Sequence, residues 1–240
     1  GAPCFYSGRV QEAIEVLKKG LKLSEDYGDF RRKLICLSNL IAINISLGNF
    51  KEAKESLEEA IKLAQYIGDL RLYAHLLYTK GFVFKKMGLI SNGKEFVEKA
   101  KNLSVEISAK ETYSYTLINI LSTQIEEENF KEARENLDKV LKLCKEINLN
   151  IHLPNLNFLN FYLEFMEGKS EDVLNIENAF EELKRTGIPY DICESSIYLA
   201  KVLKLSNEEQ RAKKILEEAL SLAQEKNFGY LSLKIKELLK

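Results

Sequence analysis

Along this chain the apolar residues recur at the spacing of a helix face. Ala53, Leu57, Ala60, Ile61 and Ala64 form one such series, and Ala133, Leu137, Val140, Leu141 and Cys144 repeat it step for step. At a fixed distance after the first small residue stands a residue suited to closing a helix: Gly28, Gly68, Ser108, Asn148 and Asn227, with Gly187 one residue early. A second helix precedes each series, for example Leu70 to Met87, which stops at Gly88. The pattern predicts a helix A, a tight turn and a helix B, an antiparallel hairpin of about 40 residues.

The hairpin is repeated. Gly48-Asn49-Phe50-Lys51-Glu52-Ala53 returns as Glu128-Asn129-Phe130-Lys131-Glu132-Ala133, with looser copies at Gly8 to Ala13 and Gly88 to Gly93. Units fall at approximately 1–28, 29–68, 69–108, 109–148, 149–187 and 188–227, followed by a terminal helix over 228–240 carrying Leu231, Ile235, Leu238 and Leu239 on its apolar side. One hairpin cannot cover its own apolar faces, so neighbours must stack. The expected fold is all-α, a right-handed α-solenoid of about six helix-turn-helix hairpins in a single repeat domain. Small residues at Ala53, Ala60, Gly81, Ala100 and Ala133 belong where helices approach closely, with Leu57, Phe84, Val97 and Leu137 filling the space between. The first unit has almost no helix A, since only Pro3 to Ser7 precede its Gly8, and the chain lacks an initiating Met. It is expected to be a fragment of a larger protein.

The repeat resembles the tetratricopeptide repeat (TPR). That family's small, bulky, small pattern on helix B is met by Ala53, Leu57 and Ala60, by Gly93, Val97 and Ala100, and by Ala212, Leu216 and Ala219. Gly81, Phe84 and Gly88 match its helix A. Three departures stand out: the longer unit, Asn44 and Gln124 at the aromatic position, and a fifth unit with Val173 and Glu177 in place of small and bulky apolar residues. The long units are similar to the helical arms of bacterial signal-responsive regulators. The resemblance implies a concave groove lined by helix A and a role in binding proteins.

Composition narrows the classes. With 35 Lys+Arg against 36 Asp+Glu, the net charge of -1 gives no general attraction to nucleic acid or an anionic membrane. No apolar run reaches the length of a membrane span, and no signal peptide opens the chain. A cytoplasmic protein is expected. Cys4, Cys36, Cys144 and Cys193 lack C-x-x-C spacing and read as free thiols, while His75 and His152 have no second ligand nearby, so neither metal nor cofactor is expected. No nucleophile elbow or phosphate-binding glycine loop occurs, and Glu126-Glu127-Glu128 reads as a solvated helix end. The chain is expected not to be an enzyme.

If helix A lines a groove as the resemblance implies, the residues facing it are His75, Tyr78, Phe82 and Lys85 in the third unit, Tyr115, Ile118 and Ser122 in the fourth, and Asn155, Phe158 and Tyr162 in the fifth. Aromatics with a polar tip suit recognition because they bury much area while keeping a hydrogen bond. The carboxylate clamp of some family members is incomplete: Asn39 and Asn119 match its Asn, but Ser38 and Ala42 replace its Lys and second Asn. The expected function is a non-catalytic interaction module holding a peptide, a partner helix or a neighbouring domain of its own chain in the groove. The alternative is the effector-sensing arm of a multidomain transcription regulator, with a small molecule in the same groove.

Overall fold

The computed structural model describes residues 10–226 and 228–240. Among them the chain forms twelve α-helices and no strand: α1 (Val10–Asp26), α2 (Phe30–Ser46), α3 (Phe50–Tyr66), α4 (Leu70–Lys86), α5 (Ile90–Glu106), α6 (Lys110–Glu126), α7 (Phe130–Glu146), α8 (Leu153–Met166), α9 (Val173–Arg185), α10 (Pro189–Leu205), α11 (Glu209–Glu225) and α12 (Gly229–Leu238). The fold is all-α, its helices following one another as repeated helix-turn-helix hairpins. The expected helix A remnant at Pro3 to Ser7, Gly8, Cys4 and the expected stop Asn227 lie outside the described residues. Internal contacts divide the chain into Gly1–Asn119 and Ile120–Lys240. Each unit is taken by itself below. Among the described residues no helix is long and apolar enough to cross a membrane.

One device ends nearly every helix. Gly28, Gly48, Gly68, Gly88, Ser108, Glu128, Asn148, Gly168, Gly187 and Asn207 all have positive φ, between 53° and 79°. Turns within a hairpin and turns between hairpins are therefore built alike. After the left-handed residue the next amide reaches back over the last turn, as Asn49 N–H does to the Asn44 carbonyl (2.8 Å) and Asp69 N–H to the Ala64 carbonyl (3.0 Å). These bonds satisfy carbonyls that a helix end otherwise leaves open. Asp29 and Asp69 then accept from the Arg32 and Leu72 amides, both at 3.0 Å, and start the next helix. At Ser108 the left-handed conformation strains a residue with a Cβ, and its side chain is exposed. Ser108→Gly should therefore raise stability by roughly 0.5–1 kcal/mol, read as a small rise in the thermal midpoint.

In the first unit Ala53, Leu57, Ala60 and Ala100 have no solvent exposure, and they pack with Leu34, Leu37, Leu76 and Val83. Two glycines set the closest approach. A Cβ on Gly81 would stand 2.8 Å from the Gly93 carbonyl oxygen, and one on Gly93 would stand 2.8 Å from the Gly81 carbonyl oxygen. Here α4 and α5 touch backbone to backbone, and Val97 and the Lys85 stem close over the gap. The small residues thus fall where the sequence pattern puts them.

In the second unit Leu137, Val140, Leu163 and Val202 are fully buried. The hairpin α8/α9 is short, at 14 and 13 residues. Its helix B does not use Val173 and Glu177 as the small and bulky positions of the repeat. Ile176, Ala179, Phe180 and Leu183 face inward instead, so the apolar stripe begins three residues later, and Glu177 turns out to an ion pair with Arg211. A mostly covered guanidinium, Arg134, holds this region: it donates to the Glu167 carboxylate (3.1 and 3.2 Å) and to the side chain and carbonyl of Asn160. Helix α12 buries Leu231 and Ile235, as its amphipathic pattern predicts, while Leu238 stays 39% exposed.

Candidate functional site

In the first unit three predicted groove residues meet. His75 and Tyr78 lie one turn apart on α4, and Tyr115 comes from α6. The His75 ring stands edge-on to Tyr78 (centroids 4.6 Å) and to Tyr115 (6.2 Å), while the two tyrosines stack at 6.3 Å with planes 19° apart. Tyr78 Oη is 3.5 Å from His75 Nε2, and Tyr115 Oη donates to Glu111 at 3.4 Å. All three rings are half-buried, so their faces are held in place while part of each remains accessible. Burial lowers the His75 pKa against the pull of the Glu111 carboxylate, and burial raises that of Tyr78. The burial of His75 thus favours its neutral imidazole over the charged form. Ile118 and Phe82 are half-buried as well, and the Lys86 ammonium sits 5.3 Å from the Phe82 ring.

Lys85 does not belong to this surface. It is 8% exposed, and its stem packs where a Gly93 side chain would otherwise lie. A lysine beside a glycine contact fills the missing volume with its methylenes.

The second unit corrects two further expectations. Phe158 and Tyr162 are 0% and 1% exposed, so they are not open anchors. Phe158 packs on Phe180 at 5.9 Å and Tyr162 on Tyr198 at 5.1 Å, both between helices. Ser122 and Asn155 serve internal hydrogen bonds, Ser122 with Tyr198 and Asn155 with the Ser195 hydroxyl at 3.4 Å.

A pocket of about 500 Å³ opens beside them. Its apolar lining includes Ile125, Tyr162, Ile197, Tyr198 and Leu238, and Lys201, Lys204 and Lys234 stand around it. The run at the end of α6 is exposed, as expected, and two of its carboxylates form ion pairs with this rim: Glu126 with Lys234 at 3.2 Å and Glu128 with Lys201 at 2.6 Å. At the start of α10, burial with Glu194 nearby raises the Asp191 carboxyl to about 6. One repeat on from Phe158, Tyr162 and Phe165, allowing for the single residue lost at Gly187, stand Ile197, Lys201 and Lys204. The helix A rule carried into the sixth unit would have found them. Lys234 and Leu238 had no such signal, because they come from the terminal helix outside the repeat.

Cys144 and Cys193 are buried free thiols and Cys36 is partly buried. Burial pushes the Cys193 thiol up to about 12, where it stays protonated and unreactive. Among the described residues no group of three or more His, Cys, Asp or Glu is placed to hold a metal ion.

These features define a helical-repeat protein with two partly apolar surfaces built largely on helix A. A tetratricopeptide-repeat family model matches residues 42–66, and the model described as anaphase-promoting complex subunit 5 matches residues 96–169 and again 155–229. A model that fits twice in overlapping windows is what repeated hairpins produce. The chain is a TPR-like helical-repeat protein. No curated protein matches it in sequence. Among solved structures it is similar to a Rap protein complexed with competence and sporulation factor (TM-score 0.78, 13% identity, 93% of this chain and 61% of that one). It is also similar to aspartyl phosphate phosphatase F from Bacillus subtilis (0.77, 15%, 92% and 57%) and to the apo form of RapI (0.72, 14%, 98% and 79%). The chain spans about three fifths of the length of the first two. At these identities the likeness establishes the fold.

Proposed function

We propose that this chain is a non-catalytic interaction module that holds a peptide or a short partner helix against the helix A face of its first unit. The observation that carries this is the His75, Tyr78 and Tyr115 cluster. Three half-buried rings from successive A helices offer fixed aromatic faces with polar tips, and a surface ordered in advance loses little entropy when it binds. That a protein of similar fold is described in complex with competence and sporulation factor supports the reading. Peptides selected from a display library against the folded chain supply the test. Tyr78→Ala with Tyr115→Ala should weaken a selected peptide by tenfold or more, as expected for hot-spot anchors of about 2 kcal/mol, with the helical circular dichroism retained. Selected peptides that bind the folded double variant unchanged would remove the groove assignment.

The pocket of the second unit favours a second reading, a binding site for a small effector. Its size and its apolar walls with a few charged groups at the mouth are those of small-ligand sites. Thermal-shift measurements against metabolites test it, because a ligand at one hundred times its dissociation constant stabilises by about 2.7 kcal/mol.

A further inference from the structure

We infer that the ligand of the second-unit pocket is an aliphatic monocarboxylate, its hydrocarbon chain lying among Tyr162, Ile197, Tyr198 and Leu238 and its carboxylate on the Lys204 ammonium. The inference rests on the small-effector reading and names the ligand class. Charge bookkeeping at the rim carries it. Three lysines line the pocket, and two already hold carboxylates, Lys201 with Glu128 and Lys234 with Glu126. Lys204 instead donates to the main-chain oxygen of Leu238, at 3.1 Å. The rim thus carries one ammonium beyond its carboxylates, and that ammonium is met by a neutral oxygen. An anion there gains a charge-assisted bond.

The rest of the pocket limits the ligand to one charge. Apart from Lys204 and the already paired Lys201, Lys234 and Glu126, its lining is aromatic and aliphatic, so a second charged group lying there would lose its hydration without a partner. A cationic head would face the rim's one ammonium in excess, that of Lys204, and a neutral one would gain only an ordinary hydrogen bond. Leu238 fits this picture too. Its 39% exposure at the end of α12 is explained if the side chain is a pocket wall rather than a core residue.

Isothermal titration calorimetry with decanoate and 1-decanol, each below its aggregation concentration, tests the assignment. Decanoate should bind saturably at one site and at least about tenfold tighter than decanol, the size of a charged over a neutral hydrogen bond. Lys204→Gln, an exposed change that leaves the core intact, should bring the two ligands to equal affinity. Ala200→Phe, which fills the pocket, should abolish both. Equal binding of the two ligands by the wild-type chain, or a preference untouched by Lys204→Gln, overturns the carboxylate while leaving a small-ligand pocket standing. No binding by either ligand overturns the pocket reading with it. Decanoate binding that persists in a folded Ala200→Phe variant overturns the location.

Discussion

Gly81→Ala should lower the stability of the first unit by about 2–3 kcal/mol, a fall of roughly 5–10 °C in its thermal midpoint, although alanine is the better helix former. The added methyl would stand 2.5 Å from Val97 Cγ2 and 2.8 Å from the Gly93 carbonyl oxygen. Val97 could turn aside, but the Gly93 carbonyl is part of the α5 backbone. The two helices must then part, and the layer above them opens. Intrinsic propensity gives back no more than about 1 kcal/mol, so packing decides the sign. Gly20→Ala is the comparison. Its Cβ would meet only Cys36 Sγ, at 2.8 Å, and a side chain can move where a backbone cannot. Denaturation monitored by circular dichroism should give the larger loss at Gly81; equal losses at both sites would mean that α4 and α5 do not depend on backbone contact.

What the sequence makes legible here follows from the repeat. A helix face written several times over identifies its own period, its small-residue contacts and its stops, so the hairpins and the buried Ala53, Leu57, Ala133 and Leu137 could be placed without coordinates. Legibility fails where the repeat is broken. In the fifth unit two short helices shift the inward stripe from Val173 to Ile176, and Phe158 and Tyr162, which the count sets on the groove, are buried. Lys85 misleads for another reason. Its position in the count is right, but a lysine stem beside Gly93 is drawn over the contact by its methylenes. Among the pocket lysines, Lys201 and Lys204 stand where the helix A count falls in the sixth unit, whereas Lys234 lies outside the repeat. Glu126 and Glu128 are exposed, as expected, but pair with Lys234 and Lys201, residues distant in sequence, and no local pattern records such pairs.

Phe158→Ala should cost about 3–5 kcal/mol, the range of a phenyl ring removed from a packed core. The ring has no solvent exposure, lies 5.9 Å from Phe180, and belongs to a hairpin whose two helices are short and have few residues to share the loss. This outcome separates two roles that one sequence rule assigned to the same class of residue. Tyr78 is half-buried and presents part of its ring, so its removal should weaken a groove ligand far more than it weakens the fold. Phe158 should show the reverse: a large fall in the denaturation midpoint of the second unit, and no selective loss of a ligand held by the folded first unit. A Phe158→Ala chain with the stability of the wild type would return this residue to the open groove. Phe158→Leu, which keeps most of the apolar volume, should recover the larger part of the loss, because what the site requires is a filled layer between α8 and α9.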